Sequence, residues 1–112
     1  MKHGGDWEQA GTGITRRISE LGKQIMAVRV RFEIGAVGAL HHHPHEQLIV
    51  VASGKFKFSL GGQEKTLQAG ETLYIPSNLE HGTVALETGE LIDIFTPLRL
   101  DFLDTNHQLE KA

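Results

Sequence analysis

A chain of 112 residues holds one domain with a single core and has no room for two. Its 39% hydrophobic and 22% charged residues exclude disorder, and the absence of cysteine excludes disulfides, thiolate chemistry and cysteine-held metal. A formal charge of −3 leaves no basic footprint for nucleic acid.

The N-terminal stretch MKHGGDWEQAGTG lacks the apolar core of a signal peptide. No apolar run reaches membrane-spanning length, so a cytoplasmic protein without a membrane partner is the default expectation. Residues 1–22 read as an arm ahead of the main domain, with Trp7 as its large anchor, and TRRISELGK within this region is compatible with one helical turn.

From there on the signal is period-two alternation, the mark of strands. In IMAVRVRFEI, Met26, Val28, Val30, Phe32 and Ile34 share one face while Arg29, Arg31 and Glu33 take the other. GKFKFSLGG alternates Lys55, Lys57 and Ser59 with Phe56, Phe58 and Leu60, then turns at Gly61-Gly62, so QEKTLQ reads as the return strand of a hairpin. ETLYIP, GTVALET and ELIDIFT continue the pattern between turn residues. Short strands with regularly spaced turns predict an all-β barrel or sandwich, with its core over about residues 24–96. The tail 97–112 fits a short helix or an extended arm. Its Leu98, Leu100, Phe102 and Leu103 need a surface to cover, on the barrel or on a second copy of the chain.

Chemistry concentrates in HHHPHEQ, which holds four of the seven histidines. On a strand His41 and His43 face together and His42 faces away, whereas Pro44 leaves the parity of His45 open. Two converging imidazoles begin a transition-metal site, and Gln47 and the distant His81 are the candidates to complete it. His3 and His107 read as ordinary solvated histidines. In LIDIF, Asp93 has the parity of Leu91 and Phe95, so an inward Phe95 brings an inward carboxylate. The alternatives are an outward Asp93 or a structural pair with Arg99. Phe95 reads as a cavity wall or plain core, and Arg99 as a carboxylate-binding fork or a solvated cation. Tyr74 is a weaker candidate for the barrel mouth.

The spacing around these residues resembles the cupin superfamily. The first cupin motif, G(X)5HXH(X)3,4E(X)6G, is matched by Gly35, His41, His43, Gln47 and Gly54, with Gln in place of Glu. The second, G(X)5PXG(X)2H(X)3N, is matched by Gly70, Pro76, Asn78 and His81, with Asn78 for Gly and Ala85 for Asn. Asn at that glycine position is tolerable because it accepts positive φ. The resemblance implies a single-domain jelly-roll barrel in which His41, His43, Gln47 and His81 hold one divalent transition ion: Ni, Zn, Mn, Fe or Co. Within the superfamily the chain looks like the small KdgF-type cupins of pectin and alginate breakdown. Their D-x-F-x(3)-R motif is matched by Asp93, Phe95 and Arg99.

That narrower likeness implies a homodimeric, metal-dependent enzyme that opens 4,5-unsaturated monouronates to linear 5-keto uronates. In it, Asp93 and Arg99 would be catalytic, and Phe95 and Arg99 would bind the small anionic sugar. An all-neutral ligand set leaves the ion its full charge for an anionic substrate, and lacks the carboxylate of a 2-His-1-carboxylate oxygenase. The alternatives are a cupin dioxygenase, another metal-dependent lyase or isomerase of a small carboxylate, and a non-catalytic ligand-binding cupin.

Overall fold

The computed structural model describes residues 5–105. Among them are ten strands and one short helix: β1 (Glu8–Gly11), β2 (Ile14–Leu21), β3 (Met26–Phe32), β4 (Val37–His41), β5 (Glu46–Ser53), β6 (Lys55–Leu60), β7 (Gln63–Gln68), β8 (Thr72–Ile75), β9 (His81–Ala85), β10 (Gly89–Thr96) and α1 (Leu100–Thr105). All strand pairs are antiparallel. A six-stranded sheet runs β1-β2-β3-β10-β5-β8, and a four-stranded sheet runs β4-β9-β6-β7. The two sheets face each other as the walls of a jelly-roll barrel. No described helix is long and apolar enough to cross a membrane.

Alternation turns one side of each strand inward, and those sides meet in one core. Met26, Val28, Val30 and Phe32 of β3 join Ile49 and Val51 of β5, Phe56 and Phe58 of β6, and Leu73 and Ile75 of β8. Phe32 and Phe56 meet edge to face at 5.2 Å between centroids, tying the two sheets together. Arg29 and Arg31 lie on the outer face, where both engage Glu90. The hairpin of β6 and β7 closes as expected through Gly61 (φ 53°) and Gly62 (φ 90°).

Four expectations are corrected. The arm is largely sheet: β1 and β2 pair with each other, β2 pairs with β3, and Ile14 and Ile18 enter the core. No helical turn forms in TRRISEL, because the edge of β3 offers a ladder that satisfies its backbone groups. Ile34 leaves the β3 face and is exposed, since the chain turns at Gly35 (φ 83°). Tyr74 points outward, its hydroxyl donating to Glu46 at 2.7 Å, because β8 turns Leu73 and Ile75 inward. The tail forms α1, which lays Phe102 and Leu103 on the core and leaves Leu100 exposed. His3, His107 and residues 106–112 lie outside the described residues.

Gly54 carries a constraint beyond its φ of 83°. A Cβ there would stand 2.7 Å from both the Thr88 carbonyl oxygen and Gly89 Cα, where the β5–β6 and β9–β10 connections cross. Gly62 has a similar φ and open space around it. Gly54→Ala is therefore expected to cost about 3 kcal/mol or more, against about 1–2 kcal/mol for Gly62→Ala. Urea denaturation of the two variants side by side checks the difference.

Candidate metal centre

The HHHPHEQ segment carries the chain from β4 in one sheet to β5 in the other. His41 is the last residue of β4 and pairs in register with His81, the first residue of β9. His43 lies in the connecting loop, which two bonds fasten to the loop before β9. The Asn78 N–H donates to the His43 carbonyl at 2.8 Å, and the Ser77 hydroxyl donates to the Pro44 carbonyl at 2.6 Å. Asn78 makes its bond from φ 64°, the conformation for which it is suited in place of glycine.

The three imidazoles converge, with one ring nitrogen from each lying within 4.8 Å of the others. Their Nδ1 atoms face backbone carbonyls: Ala39 for His41 at 2.9 Å, His45 for His43 at 3.1 Å and Leu79 for His81 at 2.7 Å. A neutral imidazole has one N–H, so donation from Nδ1 leaves all three Nε2 lone pairs directed into the site. His81 Nε2 is buried with no hydrogen-bond partner. His43 Nε2 faces Gln47 Oε1 at 3.1 Å, one lone-pair atom toward another. A shared cation resolves both features, and outer carbonyls that fix the tautomer are the usual support of histidine ligands. The residues present therefore fit a divalent transition ion held by His41, His43 and His81, with Gln47 in reach as a fourth donor.

Burial holds the His43 pKa below the ordinary imidazole value, with the Arg99 charge acting in the same direction. His81 is pushed down to about 4, first by burial and then by His41, His43 and Arg99, against the support of its Leu79 bond. Both rings thus stay neutral, as ligation requires.

The triad opens into a cavity of about 370 Å³ whose polar lining includes His41, His81, Gln47, Asp93, Arg99 and Arg16. This is at the small end of the roughly 300–1,000 Å³ typical of small-molecule sites. Asp93 has the inward parity expected beside Leu91 and Phe95. Its Oδ1 is enclosed without a hydrogen-bond partner, while the rest of the side chain keeps some surface toward the cavity. Burial lifts its pKa to about 7, opposed by a hydrogen bond with Gln47 and by the Arg99 charge.

Arg99 is held by its own segment and by two aromatic rings. Its Nε and Nη2 fork onto Asp101 at 3.1 and 2.9 Å, and its guanidinium lies over Phe95 and Phe102 at 4.9 and 4.2 Å from the ring centroids. It is therefore neither paired with Asp93 nor solvated. Phe95 is buried and meets His43 and Phe102 in T-shaped contacts. His42 is exposed, whereas His45 turns in beside His43 and Phe95 and bonds the Leu98 carbonyl through Nε2 at 3.1 Å.

Sequence reasoning did not single out Asp101, Phe102 as a cavity wall, or Arg16. The signal for Arg16 was its parity with Ile14 and Ile18; the other two become visible only once α1 folds over the barrel mouth.

Comparison with known proteins agrees with this geometry. A family model for the cupin domain matches residues 28–95. The pectin degradation protein KdgF of Dickeya dadantii (strain 3937) is 41% identical over 99 residues, 87% of this chain and 90% of that protein. The chain belongs to the cupin family, among its KdgF-like members. The structure of KdgF from Halomonas sp. superposes with a TM-score of 0.84 at 40% identity, covering 88% of this chain and 91% of that one. An RmlC-like cupin from Shewanella frigidimarina NCIMB 400 gives a TM-score of 0.83 at 37% identity, covering 88% of each chain. The jelly-roll reading thus holds, and the histidine triad of this cupin is arranged to bind a metal.

Asp93 and His81 tilt the stability of the metal-free protein in opposite directions. Between pH 3.8 and about 7 the folded protein keeps the Asp93 proton that the unfolded chain releases, so this contribution declines as pH rises. Between pH 6.5 and about 4 the unfolded chain protonates His81 while the fold resists, so this contribution declines as pH falls. In chelated protein, Asp93→Asn is expected to make the loss of Tm from pH 6.5 to 4 steeper than in the wild type. His81→Gln is expected to make it shallower. Thermal melts across pH 4–8 check both slopes.

Proposed function

We propose that this cupin is a metal-dependent enzyme that opens cyclic 4,5-unsaturated monouronates from pectin or alginate and delivers linear 5-keto uronates. The observation that carries this reading is the meeting of Asp93 and Arg99 with His41 and His81 of the histidine triad at one small cavity. The KdgF relative from Dickeya dadantii supports it at the level its name gives, pectin degradation.

When bound by His41, His43, His81 and Gln47, a divalent ion supplies Lewis-acid charge to the oxygens of an anionic sugar. Arg99, fixed by Asp101 and the two phenylalanines, offers its remaining donors to the sugar carboxylate. Phe95 and Phe102 present apolar walls that exclude water from the ring.

Ring opening removes the proton from the C1 hydroxyl, makes the C1 carbonyl and breaks the bond between C1 and the ring oxygen. The electron pair goes to that oxygen, which takes up a proton, leaving an enol across C4 and C5. Ketonisation then adds a proton at C4 and removes the one on the enol oxygen. The net change is an isomerisation, and no oxidant or reductant is consumed. Asp93 suits the proton transfers, since a carboxyl lifted to about 7 both gives and accepts a proton near neutrality.

Asp93→Asn is expected to lower kcat by about 10²–10⁴-fold, the usual contribution of a general acid–base, while metal content stays at the wild-type level. The decay of C4=C5 absorbance in freshly prepared unsaturated monouronate, corrected for the spontaneous reaction, gives the rate. Elemental analysis gives the metal. Wild-type turnover by the variant would remove Asp93 from the chemistry.

A further inference from the structure

The alternation that makes β2 a core strand puts one cation in an unusual place. Ile14, Arg16 and Ile18 share the inner face, and both isoleucines are buried. Arg16, between them, reaches the cavity lined by His41, His81, Asp93 and Arg99. An inward guanidinium costs desolvation unless it has partners. Glu8, directly across on β1, accepts from Arg16 Nε at 3.0 Å. The Phe102 ring lies 3.8 Å from the guanidinium carbon.

Phe102 also carries Arg99, at 4.2 Å. The two cations on one ring are therefore within about 8 Å of each other, no more than the screening length at physiological ionic strength, and their fields add inside the cavity. Arg16 has five N–H donors, of which Glu8 engages the one on Nε. Arg16 is also the more enclosed cation of the two ion-paired arginines compared across this sheet, 23% exposed against 43% for Arg29 on the outer face.

We propose that Arg16 is a second substrate-binding cation of the cavity, receiving hydroxyl or carboxylate oxygens of an acidic sugar whose other end is held at Arg99. Glu8 is its counter-ion. The inference rests on the uronate reading above and narrows it. The cavity selects ligands with oxygen acceptors at both ends, and it disfavours a short simple carboxylate. Arg16 acts in binding, so its effect falls on KM more than on kcat.

The test uses metal-loaded full-length protein in four forms: wild type, Arg16→Gln, Arg16→Lys and Glu8→Gln. Turnover of unsaturated monouronate gives kcat and KM, and competition gives inhibition constants for glucuronate and for acetate. The expected result for Arg16→Gln is a KM and a glucuronate constant raised roughly 10–100-fold, the range for losing a charge-assisted hydrogen bond. The acetate constant stays unchanged, and Arg16→Lys recovers part of the loss. Glu8→Gln leaves the Arg16 charge in place and raises KM far less than Arg16→Gln does.

Wild-type KM in Arg16→Gln would overturn the proposal. So would equal rises in KM for Arg16→Gln and Glu8→Gln, the pattern of an ion pair that merely holds β1 in place. If Arg16→Gln fails to fold, the Lys and Glu8 variants still decide between these outcomes. Calorimetric titration with glucuronate separates this inference from the reaction itself. Wild-type binding that Arg16→Gln weakens supports Arg16 even if no turnover is seen. Wild-type protein that neither turns over nor binds either acid sugar overturns both readings.

Discussion

A barrel this small has one interior, which must serve both as a hydrophobic core and as a polar site. Strand alternation makes that division possible, because every second residue of each strand is committed inward whether it is apolar or not. Most inward positions are apolar, among them Phe56, Phe58, Val51 and Val28, which exclude water and hold the two sheets together. A few in the same cross-strand rows are polar: Asp93 stands beside Val28, and Gln47 and Arg16 line the same cavity. Nearby, the inward apolar residues Ile49, Leu91 and Phe95 give these polar groups a low-dielectric wall. The raised pKa of Asp93 and the depressed pKa of His81 are direct consequences of that wall.

The histidines are held more by backbone than by side-chain packing. Carbonyls of Ala39, His45 and Leu79 take the Nδ1 protons, and the register of β4 with β9 sets His41 beside His81. The Asn78 and Ser77 bonds then bring the His43 loop to the same place. Two connections far apart in sequence thus meet through one main-chain hydrogen bond and one from the Ser77 hydroxyl, neither of which depends on the identity of the metal. Arg99 shows the same preorganisation by different means, with a carboxylate fork on one edge and aromatic faces against its plane.

Much of this was legible in the sequence because period two is a strong signal in β3, β6 and β10. The inward parity of Asp93 followed from Leu91 and Phe95, and the histidine cluster was visible from density alone. β2 was hidden for the reason it now attracts interest: Arg16 interrupts the apolar face of Ile14 and Ile18, so the segment looked like an arm. Ile34 misled in the opposite sense, because the turn at Gly35 overrides a pattern that otherwise continues. The fork between Arg99 and Asp101 was out of reach, since two residues of a tail face each other only after α1 has docked through Phe102 and Leu103. Local periodicity reads strands well and reads poorly the segments whose conformation is set by what they pack against.

We propose that the histidine centre and the cavity beside it convert an unsaturated monouronate by isomerisation. The most direct measurement is the decay of C4=C5 absorbance in freshly generated substrate, with metal-loaded and chelated protein compared against the spontaneous rate. The account predicts acceleration by the metal-loaded protein, its loss on chelation and its return on adding metal, with no dependence on oxygen. Spontaneous rates in fully metal-loaded protein, for both the pectin-derived and the alginate-derived sugar, would contradict it.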